Sequence, residues 1–537
     1  MSHPTDASSR RALAHHADEE TRYQAVSLLD PADGEERALL VECLGDPSWR
    51  VRSAAVEQIG ASPGGVAALP QLVEALSGGA SVGTRDAAAT ALARIGAPAV
   101  PALVERLSAG EADLRQAAAG VLGVIADRRA VAPLTARLAD RDPNVRAAVA
   151  EALGRIGGRE AIDALSAAVD SDDATLRLCA LEALLRQGAC LPAAAMAGLL
   201  RDRALRRPAY RLLGASDDPA AFALIARGLA DPSRSVREAA LAAVGQQRSR
   251  RAPEALAPLL DEIRSAARAD AGLPDAWAAS LGSEGALVAV GALSALGAAG
   301  APRHVQAMLR LAEDDRLRAL VEEAVEALPA GAELRGALAE ALPALGQIAR
   351  LAALAALARL GSPAAFESLV REASDPASYV QAEAVAALGR LSDARGVPPL
   401  AGLLGDDVSA VAGLASTALV RVGQSGAAAR AAVIAALRER ADASPSAALY
   451  RTLGAVGDPG DADVLLCGLR ADSVGRRSAA AGAIGTLARR GLLRGEPMPA
   501  LVAAMSDGAW SVRASAARAW GELARADAER TARSGGG

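Results

Sequence analysis

Apolar residues recur along the chain at steps of three and four residues, in short segments separated by turns. The clearest segment runs from Asn144 to Ile156, and its spacing is typical of an amphipathic helix. Asp142 and Pro143 precede it as an N-cap and a first helical residue, and Gly157 can end it with a positive φ. A shorter apolar segment, Ala130 to Leu138, comes before the turn. The pattern therefore predicts two helices joined by a short turn.

This two-helix unit repeats along the chain. The second helix opens on Val-Arg or Leu-Arg, and Arg115, Arg146 and Arg177 are each 31 residues apart. About sixteen such units fit into the 537 residues. Two short helices cannot bury their apolar faces alone, so each unit is stabilised by stacking on its neighbours. The sequence therefore predicts a chain that grows along one axis and has no single round core.

The repeat resembles HEAT repeats, in particular the short bacterial type named after phycobilisome lyases. The resemblance is carried by the D-P-x-x-x-V-R start of the second helix and by its A-L-G-x-[IL]-G end, as in Ala148 to Gly157. It covers roughly residues 20 to 525. The resemblance implies an all-α fold, a right-handed superhelical α-solenoid of about sixteen two-helix repeats of ~31 residues.

The period of about 31 residues is interrupted once by about 20 extra residues, between Val236 and the next second-helix start near Leu287. We expect an insertion within the solenoid at 248–284, which is either a longer helix with a loop or a binding protrusion or hinge. Its candidate contact residues are Arg248, Arg250, Arg251 and Trp277. A second long unit is expected over about 424–446.

These breaks divide the chain into predicted segments. The solenoid has an N-terminal part at 20–247 and a C-terminal part at 285–526. The polar segment 1–19 is expected to be partly disordered, and 527–537 is expected to be a disordered tail.

Aspartate and arginine recur six residues apart at the start of the second helices. We interpret them as structural, because a catalytic group is needed once and these recur. The carboxylate can cap helix N–H groups, and the arginine can bond carboxylates or carbonyls in its own or the adjoining unit. The pairs are Asp46/Arg52, Asp140/Arg146, Asp231/Arg237 and Asp507/Arg513.

Charged residues also recur on the outer side of the second helices. Glutamates at one position and arginines four residues later form i,i+4 pairs, which a solvated helix face alone would explain. In HEAT proteins, however, the second helices usually line the concave surface, so the resemblance implies a protein-binding groove. The candidate groove residues are Val56, Glu57, Glu151, Arg155, Glu182, Arg186 and Leu241.

Tryptophan is rare, and two of the four tryptophans hold equivalent places in the turn before Val-Arg. Trp49 and Trp510 are either binding anchors or covers for the seam between repeats. Both readings stay open from the sequence.

Composition narrows the possible functions. The formal net charge is −5, and all 58 basic residues are arginine, so the broad basic excess of a nucleic-acid-binding surface is missing. No lysine is available for a Walker-type phosphate loop. Four cysteines without C-x-x-C spacing and four histidines give little basis for a disulfide framework or a metal site.

The sequence therefore predicts a non-catalytic scaffold or adaptor that binds one or more proteins, without catalytic, cofactor or metal residues and without a small-molecule ligand. A bilin-lyase-like or other modifying subunit that acts with a second chain is the alternative. Nucleic-acid binding through the Arg-rich stretch 248–268 is a weaker alternative.

The N-terminus lacks a secretory signal, and the longest apolar run, 286–301, is too short to cross a membrane, so a cytoplasmic protein is expected. Arginine without lysine suggests a GC-rich bacterial genome.

Overall fold

The computed structural model describes residues 7–77, 80–376, 378, 380–405, 410–493 and 495–534, and regular structure in this part is entirely helical. The α-helices are α1 Ala7–Ala14, α2 Glu19–Val26, α3 Gly34–Cys43, α4 Trp49–Ala61, α5 Leu69–Glu74, α6 Val82–Ile95, α7 Val100–Arg106, α8 Ala112–Ile125, α9 Val131–Thr135, α10 Pro143–Ile156, α11 Arg159–Ala168, α12 Ala174–Arg186, α13 Ala193–Leu199, α14 Arg206–Ala215, α15 Ala221–Gly228, α16 Arg234–Arg250, α17 Pro253–Ala269, α18 Leu273–Ala278, α19 Ala286–Ala299, α20 Val305–Arg310, α21 Arg318–Glu326, α22 Ala332–Ala341, α23 Gln347–Arg359, α24 Pro363–Ser374, α25 Gln381–Leu391, α26 Val397–Gly402, α27 Ala410–Gln424, α28 Ala427–Ala443, α29 Ala447–Val456, α30 Ala462–Gly468, α31 Val474–Arg489, α32 Met498–Ala504 and α33 Trp510–Ser534. Short 3₁₀ helices lie at Pro63–Ala68, Ala97–Ala99, Arg128–Ala130, Pro302–His304, Leu311–Glu313, Leu342–Ala344, Ala394–Gly396, Leu403–Gly405 and Pro459–Asp461.

The helices form sixteen two-helix repeats over the described residues, with α18 as an extra helix. The second helices of the repeats are α2, α4, α6, α8, α10, α12, α14, α16, α19, α21, α23, α25, α27, α29, α31 and α33. The all-α solenoid of about sixteen repeats is confirmed. The chain divides into two compact units, the first ending at Ala295 and the second beginning at Leu296.

The helix α10 shows how the sequence sets the ends of a second helix. Asp142 is its N-cap and accepts hydrogen bonds from the N–H groups of Asn144, at 2.8 Å, and Val145. Pro143 is its first residue, where its missing N–H costs nothing. Gly157 ends the helix with φ of 72°. These features were predicted from the sequence and are confirmed.

Small residues allow neighbouring second helices to approach closely. A methyl group on Gly154 of α10 would lie 2.6 Å from Cβ of Ala183 in α12, which is closer than carbon atoms can pack. Glycine late in the second helix is therefore required by the stacking of the next repeat.

The insertion at 248–284 lies within the stack and does not protrude. The helix α16 continues to Arg250, and α17 packs against α15 as the first helix of the next repeat. Trp277 in α18 is fully buried, and its indole N–H donates to the carbonyl of Leu229 at 3.0 Å. Its predicted role as a contact residue of the insertion is wrong, because the repeat before it covers the indole.

Both segments that were expected to be disordered contain helices. Within 1–19, the described residues include α1, and α2 begins at Glu19. At the other end, α33 continues through 527 to Ser534. Residues 1–6 and 535–537 lie outside the described part of the chain. The long unit expected near 424–446 is confirmed as the 17-residue first helix α28.

Candidate functional site

Arginine and aspartate side chains connect the turns of successive repeats. Arg115 Nε and Nη2 donate to the two carboxylate oxygens of Asp140, in the next repeat, at 2.9 and 2.7 Å. Arg115 Nη1 donates to the carbonyls of Ala109 and Gly110 in its own turn, at 3.0 and 2.9 Å. Both charged side chains are only 4% exposed. We call these links the inter-repeat ladder. Its other members are Arg22–Asp46, Arg146–Asp173, Arg177–Asp202 and Arg206–Asp231 in the first unit and Arg477–Asp507 in the second.

In the predicted six-residue pairs the arginine bonds as expected, whereas the carboxylate does not cap the helix. Within a repeat, the arginine donates to the aspartate's main-chain carbonyl, as Arg146 does to Asp140 at 2.7 Å. Arg52, Arg237 and Arg513 donate in the same way to the carbonyls of Asp46, Asp231 and Asp507, at 2.7, 2.8 and 2.9 Å. These aspartate carboxylates accept the N–H two residues later, from Ser48, Asp142, Ser233 and Ala509. They shape the turn and do not cap the helix, because the N-cap of α4 is Ser48 and that of α10 is Asp142.

The ladder also sets the charge state of its carboxyl groups. The hydrogen bonds from Arg115 lower the pKa of Asp140, against the opposing effect of burial. Arg146 lowers the pKa of Asp173 in the same way, and Arg477 lowers that of Asp507. The ladder is therefore a set of charge-assisted bonds between ionised groups.

The outer surface of five consecutive second helices in the first unit is the candidate site. The helices α4, α6, α8, α10 and α12 pack in sequence order and present side chains at equivalent positions. An open groove of about 690 Å³ lies along α6, α8 and α10. We call this surface the second-helix face. It comprises Glu57, Asp86, Thr90, Arg94, Asp113, Gln116, Gly120, Val124, Glu151, Arg155, Glu182 and Arg186.

The structure places the charged groove candidates on this face. Arg155 donates to Glu151 at 2.6 Å, one turn earlier on α10. Glu57 lies 3.8 Å from Arg94 on the next second helix, α6. Glu182 and Arg186 are exposed, but no ion pair within 4 Å joins them in the described structure.

The two apolar groove candidates are buried, so their assignment is wrong. Val56 is 5% exposed and Leu241 is fully buried. Leu241 is covered because α19 crosses α16 there, and a methyl group on Gly291 would overlap the Leu241 carbonyl. Val56 belongs to the buried side of α4, next to the exposed Glu57.

The arginines of the insertion do not form one contact surface. Arg250 is exposed and pairs with Asp217 at 3.0 Å. Arg251 donates to Gln247 at 2.6 Å and to the carbonyl of Ser216 at 3.2 Å, and its guanidinium stacks on Phe222. Arg251 is thus structural, and Arg248, in the last turn of α16, is half-buried.

Sequence reasoning missed the residues that α6 and α8 contribute to the second-helix face, among them Asp86, Asp113, Gly120 and Val124. Asp86, Asp113 and Val124 are exposed, and Gly120 is half-buried. Gly120 and Val124 stand 31 residues before Glu151 and Arg155, so aligning the repeats would have revealed them as substitutions in the charged pattern. Trp49 and Trp510, the first residues of α4 and α33, are 69% and 74% exposed.

In the second unit, an ion pair crosses part of the surface formed by the second helices α21, α23 and α25. Arg390 of α25 reaches across α23 to Glu322 of α21, at 2.7 Å. Burial raises the pKa of Glu322, and Arg390 opposes that effect. Because the Arg390–Glu322 ion pair spans this stretch, it is less open than the groove along α6, α8 and α10.

The described residues contain no group of three or more His, Cys, Asp or Glu residues placed to hold a metal ion. No single helix in this part of the chain has the length and apolar character to span a membrane. The pair Val82–Ile95 and Ala97–Arg106 meets those criteria only when joined across a 112° bend.

Comparison with protein families identifies the repeat. HEAT-repeat models match residues 9–93, 100–185, 337–420 and 498–526, and a PBS lyase HEAT-like repeat matches 84–109. The chain is a HEAT-repeat protein. A comparison with curated proteins found no match.

Solved structures that are similar to this HEAT-repeat protein include two of importin beta and one of Kap95p with RanGDP. One importin beta structure is 15% identical and has a TM-score of 0.38, with 97% of this chain and 78% of that chain covered. The other is 16% identical, with a TM-score of 0.44 and coverage of 96% and 77%. The Kap95p structure is 14% identical, with a TM-score of 0.49 and coverage of 97% and 74%.

Proposed function

We propose that this HEAT-repeat protein is a non-catalytic scaffold that binds another protein along the second-helix face of its first unit. The observation that carries the proposal is the run of exposed side chains on five consecutive second helices around an open groove. A stack of repeats holds a partner by many weak contacts spread along such a surface. Charged residues at its rim add orientation and association rate more than affinity.

The mixture of charges favours a protein partner over a nucleic acid. Acidic residues on the face include Glu57, Asp86 and Glu151, and basic ones include Arg94 and Arg155. Binding to phosphates needs an excess of basic groups, because each contact replaces a counterion. Interspersed charges of both signs instead fit a polypeptide surface that carries both signs itself.

We also propose a cytoplasmic location. Support comes from the cysteines, because all four are free thiols. Cys43 is buried, and burial raises the pKa of its thiol to about 12, so it stays protonated and unreactive. Free thiols in a folded protein fit a reducing compartment.

Charge reversal on the face tests the proposed function. The variant Glu57→Arg, Glu151→Arg, Glu182→Arg should lose most of the protein that the wild type captures from its native host, as measured by affinity purification and quantitative mass spectrometry. The matched control, Glu74→Arg, Glu105→Arg, Glu160→Arg, carries the same charge change on exposed positions of the first helices α5, α7 and α11. It should keep the partner. Equal capture by all three proteins would overturn the proposed face.

A further inference from the structure

Gly120 lies in the middle of α8, at a position where the packing of the fold does not require glycine. A methyl group at this position would meet no atom within 4 Å, whereas one on Gly123, a turn later, would lie 2.7 Å from Cα of Ala152. Glycine inside a helix costs up to about 1 kcal/mol relative to alanine. At Gly123 a side chain would clash with Ala152, so the fold needs glycine there despite its lower helix propensity. At Gly120 no described residue fills the space that a side chain would occupy.

The empty space at Gly120 interrupts the charged pattern of the second-helix face. The equivalent position is Glu57 in α4 and Glu151 in α10. One turn later, where α10 has Arg155, α8 has Val124, which is 56% exposed. The centre of the groove is therefore an uncharged notch with room for a side chain and an apolar wall.

Two carboxylates without ion-pair partners lie at one end of the same groove. Asp86 belongs to the second turn of α6 and Asp113 to the first turn of α8, and both are exposed and line the groove. No arginine side chain within 4 Å pairs with either of them in the described residues. By contrast, the groove's Glu151 is already paired with Arg155. Asp113 and Gly120 are seven residues apart, which is about 10 Å along a helix.

We infer that this groove takes a segment of a partner protein that carries a large apolar side chain and, about 10 Å away, a basic side chain. The apolar side chain fills the notch at Gly120 against Val124, and the basic group pairs with Asp86 and Asp113. Apolar burial in the notch supplies affinity, and the charge pair fixes the direction of the segment. The inference rests on the proposed function and names the chemistry of the partner.

The probe is a random twelve-residue peptide display library, selected on the full chain. Selected peptides should combine Arg or Lys with Leu, Met, Phe or Trp. A synthetic copy of the best peptide, measured by fluorescence anisotropy, should bind Gly120→Trp at least tenfold more weakly than wild type. Asp86→Asn with Asp113→Asn should also weaken binding and reduce its salt dependence. The matched control is Gly198→Trp, at an exposed glycine of the first helix α13 where an added methyl group likewise meets no atom within 4 Å, and it should bind within twofold of wild type.

Thermal unfolding of each variant separates loss of binding from loss of the fold. The inference is overturned if selection yields only acidic peptides or none, or if the peptide binds Gly120→Trp as tightly as wild type. The proposed function is tested separately by the charge-reversal triple. If the charge-reversal variant loses the host partner while Gly120→Trp keeps it, the scaffold proposal stands and the proposed binding at Gly120 is wrong. If neither variant loses it, both proposals fail.

Discussion

Gly120 and Gly123 lie one turn apart in α8 and meet opposite surroundings. Gly123→Ala places a methyl group against the backbone of Ala152, which cannot move aside without shifting α10, so we expect destabilisation of about 1–3 kcal/mol. Gly120→Ala should instead stabilise the helix by up to about 1 kcal/mol. Urea unfolding followed by circular dichroism compares the two directly. Effects of the same sign would contradict this account of the packing.

Asp140 tests the inter-repeat ladder at a single residue. Asp140→Ala leaves the Arg115 guanidinium buried without its carboxylate, and we expect a loss of about 3 kcal/mol. Glu151→Ala removes an exposed helix pair and should cost less than about 0.5 kcal/mol. The midpoints of urea unfolding report both values. A small loss of stability in Asp140→Ala would mean that the ladder forms as a consequence of the stacking of repeats and does not stabilise it.

The ladder also predicts how stability depends on pH. Arg115, Arg146 and Arg477 hold the pKa values of their aspartates below the usual value. Such carboxylates stabilise the fold above their unfolded pKa of about 3.9, and that stability is lost as the pH falls through their folded pKa values. We expect thermal midpoints to fall steeply below about pH 4, and Asp140→Asn to fall less steeply. Parallel curves for the two proteins would rule out the contribution of Asp140.

At the scale of the helix, local signals in the sequence predict where the second helices begin and end. They do not predict which other helices pack against them. The cap, start and end of α10 follow from Asp142, Pro143 and Gly157 alone. The first helix before it, α9, is shorter than the apolar segment 130–138 indicates, because it ends at Thr135 and residues 136–138 form a turn. Leu241 has the right helical phase for the groove and is buried, because α19 covers it. Which helix covers a face depends on contacts distant in sequence, which periodicity does not encode.

The insertion gives an element-scale prediction. Since α18 is packed into the stack, Trp277→Ala should cost about 3–5 kcal/mol, as for a large core residue, and should leave the Leu229 carbonyl without its donor. Trp49→Ala, at an exposed helix start, should change stability by less than about 0.5 kcal/mol. Thermal unfolding measures both. If the two substitutions have similar effects, the insertion is not part of the stack.

Across the whole molecule, stacked repeats predict that damage stays local. Each repeat contacts mainly its neighbours, so stability is close to a sum of repeat and nearest-neighbour terms. Asp140→Ala breaks the link between the repeats of α8 and α10. Hydrogen exchange measured by mass spectrometry should therefore rise most in these two helices and less in α6 and α12. Peptides from the second unit should exchange as in wild type, because local opening spreads only as far as cooperative units extend. A uniform rise over the chain would instead show that all sixteen repeats unfold as one.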